Sequence, residues 1–202
     1  MFKVKELFYS IQGEGHYSGT PSIFCRFSGC NKWSGRDIDK AESACPFCDT
    51  DFVGGSKYSL TQLCDAIISL WPGGGRPRVV FTGGEPALQL TAELIHALRK
   101  KNVSSAIETN GSLPLPSAGP YWVTVSPKDD DLVVTRGNEI KVLWPNPLTP
   151  PEIYEGLDFR YFYLQPIDGA EIKANTLSAL QYVLAHPKWS LSLQQHKLLG
   201  VR

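Results

Sequence analysis

The sequence predicts an α/β fold, an incomplete (truncated) TIM-like barrel of about six parallel strands and about three full helices. Three observations carry that expectation. Strand-like and helix-like segments alternate as βαβαβ through the first half of the chain, the pattern of a parallel sheet with right-handed crossovers. Between Glu108 and Trp144 no stretch is left for further full crossover helices, so the barrel stops short of closure. Chemically versatile residues collect just after the strands, at the face where barrel-like α/β folds place their sites.

In chain order, the N-terminal "MFKVKELFYS" alternates charged and apolar groups and lacks the apolar run of a signal peptide. "SIFCRF" (Ser22 to Phe27) reads as the first barrel strand. Ser59 opens a helix with Gln62 as a capping-box partner, the apolar spacing continues through "LCDAIISLW", and Pro72 with a glycine run stops it. "RVVF" (Arg78 to Phe81) is a buried strand. "QLTAELIHALRKK" is an amphipathic helix with basic residues in its last turn. "SSAIE" (Ser104 to Glu108) is a strand closed by a turn at Asn110-Gly111. "YWVTV" (Tyr121 to Val125), "EIKVLW" (Glu139 to Trp144) and "FRYFYL" (Phe159 to Leu164) are three more. "IKANTLSALQYVLAH" is a helix ending before Pro187, and "WSLSLQ" is a final extended segment.

A chain of 202 residues suits one domain, spanning 1–202, with its own core. Twenty basic and twenty acidic side chains leave no basic excess to steer it toward nucleic acid or an anionic membrane. No apolar run approaches the ~20 residues that cross a bilayer. The expectation is a cytoplasmic protein, a compartment where clustered thiols bind metal more often than they pair. The segment from about 29 to 57 is long for a connection and reads as an enlarged functional loop.

That loop holds Cys30, Cys45 and Cys48, spaced C-x14-C-x2-C. Two readings compete. With Cys25 they resemble a four-thiolate zinc ribbon. Yet Cys25 lies inside "IFCRF", where side chains alternate, so Cys25 and Arg26 face opposite ways and Cys25 suits the core. Cys64 falls on the apolar stripe of a helix and suits the core too. Three remaining thiolates on a 4Fe–4S cluster leave one iron open for an external ligand, whereas a structural cluster normally takes four. After the second, third, fourth and sixth strands come "TGGEP" (Thr82 to Pro86), "ETNG" (Glu108 to Gly111), "SPK" (Ser126 to Lys128) and "QPID" (Gln165 to Asp168). Any one of these alone would be a turn; together, beside a thiol cluster, they mark a site.

With these residues in view, the chain resembles the radical S-adenosylmethionine (SAM) superfamily: "CPFC" has an aromatic before its last cysteine and "GGEP" follows the second strand. The superfamily's usual C-x3-C-x2-C has a much shorter first gap. Further stretches, "LFYSIQGEGHYSGTPSIFCRFSGCN", "CDTDF", "FTGGEPALQ" and "LSLQQHKLLGV", closely resemble the 7-carboxy-7-deazaguanine synthase family, some members of which carry an enlarged cluster loop. The resemblance runs from about Lys5 to the C-terminus. It implies a lyase of the 7-deazapurine (queuosine) pathway. That enzyme takes 6-carboxy-5,6,7,8-tetrahydropterin to 7-carboxy-7-deazaguanine with loss of ammonia, by hydrogen abstraction from C6 with a SAM-derived radical. A reducing donor of flavodoxin or ferredoxin type and a homodimer are implied as well. A SAM-radical activase acting on a partner protein would share the cluster residues and "GGEP" but has no need of "IQGEG" or His196; a zinc-ribbon interaction module without catalysis is the other alternative, and it would be colourless and hold zinc.

Carried over residue by residue, the resemblance implies Cys30, Cys45 and Cys48 as cluster ligands and Thr50 as a Mg²⁺ ligand, with Asp49 ordering its shell. Phe47, Cys48 and Asp49 would flank SAM. Gly83, Gly84 and Glu85 would take its amino-acid part, and Ser126, Pro127 and Lys128 its carboxylate or ribose. Glu108 would accept from a ribose hydroxyl, and Gln165, Pro166, Ile167 and Asp168 would hold the adenine end. The pterin would meet Ile11, Gln12, Gly13 and Glu14 of "IQGEG", with Thr82 and His196, and Arg26 would clamp its carboxylate. Each of these residues also has a plain alternative as a turn, packing or surface ion pair.

Overall fold

The computed structural model describes Met1–Arg202, and one nine-stranded sheet runs through the chain. Its strands are β1 (Phe2–Ile11), β2 (Pro21–Phe27), β3 (Ser56–Tyr58), β4 (Arg78–Gly83), β5 (Ser104–Thr109), β6 (Trp122–Val125), β7 (Arg136–Trp144), β8 (Asp158–Pro166) and β9 (Trp189–Leu191). They lie in the order β3-β1-β2-β4-β5-β6-β7-β8-β9. From β2 to β9 every pairing is parallel; β1 pairs antiparallel with both β2 and β3. The six strands read from sequence are therefore present in consecutive order, and "WSLSLQ" supplies a short seventh.

Two strands were not anticipated. β1 is the alternating N-terminal segment itself, whose period of two is a strand signal. β3 uses the end of the long loop, placing Ser56 and Lys57 beside the start of β1.

Helix α1 (Leu60–Ser69) opens with the capping box: Ser59 Oγ accepts from the Gln62 amide at 3.2 Å, and the Gln62 side chain accepts from Ser59 N at 2.9 Å. Helix α2 (Ala92–Lys100) is capped by Thr91, and α3 (Ile172–Ala185) stops before Pro187. A fourth, α4 (Gln195–Leu199), is a single turn and a half near the C-terminus, unseen in the sequence because its five residues are too few for a periodic signal. No full helix lies between β5 and β7, as the spacing required.

Strand alternation divides each barrel strand between an outer and an inner face. Outward, Ile23, Cys25, Phe27, Val79, Phe81 and Ile107 pack against Leu63, Cys64 and Ile67 of α1 and Leu94, Ile95 and Leu98 of α2. A second core gathers Val125, Ile140, Val142 and Leu164 with Ala179 of α3 and Trp189 of β9. Inward, Phe24, Val80, Ala106 and Trp122 form the barrel floor. His16 stacks on Tyr161 with ring centroids 4.3 Å apart, and the Arg78 guanidinium lies 3.6 Å over the Tyr17 ring at the same floor. The floor is filled by side chains, so the interior opens only toward the strands' C-terminal ends.

Candidate active site

Above that floor lies a cavity of about 650 Å³. Its lining contains almost every residue that the sequence pointed to: Ile11, Gln12, Gly13, Glu14, Arg26, Cys30, Cys45, Phe47, Cys48, Asp49, Thr50, Thr82, Gly83, Gly84, Glu108, Ser126, Lys128, Gln165, Pro166, Ile167, Asp168 and His196. Two do not face it. Pro127 lies outside the lining. Glu85 is 0% exposed, and its carboxylate accepts from Ala87 N (2.8 Å), Thr109 Oγ1 (2.7 Å) and Asn110 N (2.7 Å). A carboxylate so occupied braces the β4 and β5 ends against each other; direct contact with a ligand ammonium is not where the structure places it.

The loop that carries the thiols is built against the barrel. Gly83, at φ +124°, and Gly84 let the end of β4 press on the end of β2: a Cβ at Gly84 would stand 2.0 Å from the Gly29 carbonyl oxygen and 2.9 Å from Cys30 Cβ. The close approach expected of these glycines is thus made to the Phe27 and Gly29 backbone, next to Cys30. Glu85 N donates to Gly29 O at 2.9 Å and Gly29 N to Phe52 O at 3.1 Å, closing the loop's two ends. Within the loop, Trp33 donates from its indole to Asp39 at 3.1 Å and meets Phe52 edge-on. Lys32, with a side chain only 8% exposed, reaches Asp129 at 2.8 Å and also pairs with Asp131, fastening the loop to the segment after β6. Asn31 does the same toward Ser112 and Asn110.

Cys30, Cys45 and Cys48 are unpaired thiols facing this one cavity, while Cys25 and Cys64 are buried in the outer core. That geometry removes Cys25 from any shared site and with it the four-thiol ribbon. Burial pushes the Cys45 thiol up to about 11, against the Lys128 ammonium, with Cys48 and Cys30 pushing the same way as burial. Cys30 is also raised by burial, opposed by the amides of Lys32 and Trp33; the Lys32 amide lies 3.4 Å from its sulfur. Three free thiols facing one cavity, beside an ammonium and backbone donors, fit a group that binds thiolates and brings its own positive charge. They do not close on a single point, nor do any three His, Cys, Asp or Glu side chains.

Lys128 itself is pulled below its ordinary value by burial, with Lys141 adding to that and Cys45, Glu14 and Cys48 opposing it; its Nζ donates to Ser126 Oγ at 2.8 Å. Thr50 faces the cavity, whereas Asp49 is committed to an ion pair with Lys197, which also holds Asp168 at 2.7 Å. Lys197 therefore ties α4 to the cluster loop and to the loop after β8.

On the other wall, Arg26 does point inward, opposite Cys25, and its Nε donates to Glu6 at 2.7 Å. Glu6 is shared with Arg202 near the cavity mouth. Gln12 donates from Nε2 to Glu108 at 2.7 Å and accepts the Glu14 amide at 3.2 Å. His196 packs over Gly13, where a Cβ would stand 1.9 Å from its Nδ1, so a side chain at Gly13 would displace the histidine ring. Glu14 forms a buried ion pair with Lys141 and accepts from Gln194 at 2.8 Å. Glu139, beneath them, accepts from Thr124 at 2.7 Å and from the His16 amide at 2.9 Å.

The sequence reading missed Lys141, Glu139, Lys32, Lys197 and Arg202. The signal for the first two was present: Glu139 and Lys141 share one face of "EIKVLW", and charges on one face of a buried parallel strand must have partners inside.

A partial barrel, open at the strands' C-terminal ends, carries three free thiols on a loop clamped to the GG turn, the arrangement that the radical SAM resemblance implies. No protein-family model matches the chain. It is 48% identical over 209 residues to a 7-carboxy-7-deazaguanine synthase from Bradyrhizobium diazoefficiens, covering 100% of this chain and 99% of that one. A relative of the same name from Caulobacter vibrioides is 49% identical over 208 residues, with 99% of each covered. The crystal structure of QueE from Escherichia coli superposes with a TM-score of 0.74 at 26% identity, over 96% of this chain and 94% of that one. The chain belongs to the 7-carboxy-7-deazaguanine synthase family. Membership implies a 4Fe–4S cluster and SAM in general terms, and an enzyme acting on a small molecule.

Proposed function

We propose that the chain converts 6-carboxy-5,6,7,8-tetrahydropterin to 7-carboxy-7-deazaguanine with release of ammonia, a step toward queuosine. The observation that supports this most is the sharing of one cavity by Cys30, Cys45 and Cys48 with Gln12, Glu14, Arg26, Thr82 and His196. When bound, a reduced cluster and SAM supply the one-electron chemistry that removes a hydrogen atom from the substrate. The residues of the chain bind, orient and keep out water. Cys30, Cys45 and Cys48 would hold the cluster. Phe47, Gly83, Gly84, Ser126, Lys128 and Gln165 to Asp168 would hold SAM, and Thr50 a Mg²⁺ with its waters.

With Arg26 Nε taken by Glu6, its two terminal nitrogens remain for an end-on, bidentate carboxylate. Gln12 is turned by Glu108 so that its carbonyl faces back on the loop, and Glu14 offers only acceptors. Together they suit the donor-rich aminopyrimidinone edge of a pterin. The reading also includes a flavodoxin- or ferredoxin-type donor, a cytoplasmic setting, and a homodimer. Self-association is supported by the edge strands β3 and β9 and by Leu177 and Leu184, exposed on α3 beside β9.

The test is an anaerobic assay with reductant, SAM and the carboxypterin, read by mass spectrometry. The expected product is the carboxydeazaguanine, from a brown protein absorbing near ~400 nm. SAM cleavage without a pterin product would instead favour an activase, and a colourless zinc protein would refute both.

A further inference from the structure

Lys141 is a cavity residue to which neither sequence nor family resemblance gives a role. It stands mid-strand in β7 with its side chain 6% exposed, and its Nζ meets Glu14, whose side chain is 13% exposed, across 127 residues of chain. The other oxygen of Glu14 accepts from Gln194, and its amide is held by Gln12. From the surrounding elements Glu108 (β5), Lys128 (after β6), Glu139 (β7) and His196 (α4) also bear on this pair. A carboxyl in such a site has two forms with opposite recognition: ionised it only accepts, neutral it also donates.

We infer that Lys141 is a specificity-determining positioning residue: its buried ion pair fixes Glu14 as an acceptor-only carboxylate, so the cavity selects a heterocycle edge that presents N–H donors, as a 2-amino-4-oxo ring does, over one that presents an acceptor there. The inference rests on the pterin reading above. The charge balance agrees with the geometry. Burial works to neutralise Glu14, but Lys141, aided by Gln194 and His196, outweighs it and takes the carboxyl down to about 2. Burial also works against the Lys141 charge, and Glu14, Glu108 and Glu139 outweigh it, holding the ammonium above its ordinary value. Without Lys141 the burial remains and its compensation is gone, so the Glu14 carboxyl rises into the range where it takes up a proton.

The test uses the holoenzyme with SAM but no reductant, where binding occurs without turnover. The carboxytetrahydropterin, and its analogue with a 2-oxo group in place of the 2-amino group, are titrated calorimetrically between about pH 5 and 8, the span over which a released carboxyl would ionise. The parent should bind the amino compound with an affinity independent of Glu14 ionisation and prefer it strongly. Lys141→Met should bind it about tenfold more weakly at the acid end, recover as pH rises, and lose part of the preference over the 2-oxo analogue. Lys141→Met with Glu14→Gln should be weak and flat with pH. A folded Lys141→Met that keeps the parent's affinity and preference at every pH overturns the inference. A parent that binds neither compound refutes the pterin reading, and the inference falls with it. Should Lys141→Met fail to fold, the carbon-13 resonance of the Glu14 carboxyl in the parent decides: it should stay flat above about pH 4, and a titration there overturns the lock.

Discussion

Replacing Gly84 by alanine tests whether the GG turn holds the thiol loop in place. The added Cβ would stand 2.0 Å from the Gly29 oxygen, 2.5 Å from its carbonyl carbon and 2.9 Å from Cys30 Cβ. Real Cβ atoms essentially never come within 3.0 Å of such neighbours, so the two segments must part by about 1 Å. The atoms in the way are mainly backbone, and no rotamer change can absorb the shift. Separation also stretches the 2.9 Å bond from Glu85 N to Gly29 O. Overpacking of this kind costs roughly 1–3 kcal/mol and the lost hydrogen bond roughly 0.5–1.5 kcal/mol. A loss of about 2–4 kcal/mol lowers Tm by roughly 5–15 °C in a chain of this size. The functional loss should be larger, because ligand positions tolerate only about 0.2 Å and Cys30 is the residue displaced. The assay is anaerobic reconstitution with iron and sulfide per chain, absorbance, and a melting curve. Gly84→Ala should fold, melt lower and hold well under the parent's iron. Gly119→Ala, where a Cβ meets nothing within 4 Å, is the control and should match the parent. If Gly84→Ala takes up full iron and melts with the parent, the close approach of the β4 end to the Gly29 backbone does not set the loop.

Alanine at Cys30, Cys45 or Cys48 should each abolish cluster binding and turnover, while Cys25→Ala and Cys64→Ala keep the iron and lose only stability from the outer core; loss of iron on changing Cys25 alone would restore a four-thiol site. Thr50→Val removes an oxygen donor and keeps the shape, so iron content should stay normal while magnesium stimulation falls, and an unchanged magnesium response would remove Thr50 from the metal's shell. Arg26→Gln should weaken carboxypterin binding by about one to two orders of magnitude, the worth of a charged hydrogen bond to a carboxylate, yet still allow slow SAM cleavage when reduced without substrate. Loss of both activities in a folded, iron-loaded Arg26→Gln would assign Arg26 to the SAM side instead.

What could be read from the sequence followed the range over which each signal acts. The βαβ rhythm, the Ser59 capping box and the sorting of Cys25 from Arg26 depend on neighbours a few residues apart, and all three stand in the structure. The missed features depend on pairings across the fold. β1 is a strand because β2 and β3 flank it. Glu85 turns from the cavity because Thr109 and Asn110 offer donors on the next strand. Lys197 matters because Asp49 and Asp168 happen to face it from two different loops. Family resemblance had the opposite reach: it placed Gln12, Glu14 and His196 in one site without a reason in local spacing, and the cavity brings them together. It gave no help with Lys141, because resemblance transfers roles already assigned, and a lysine that acts by fixing another residue's charge has none. Only the physical requirement that a buried carboxylate have a partner points to it. A related requirement applies to the buried Lys32 ammonium, which pairs with Asp129 and Asp131. That clamp starts two residues from Cys30 and reaches the residues just past Lys128, so it couples the thiol loop to the strand end that would carry SAM. A family comparison limited to ligand residues would pass over both pairs, although they hold the ligand residues where they stand.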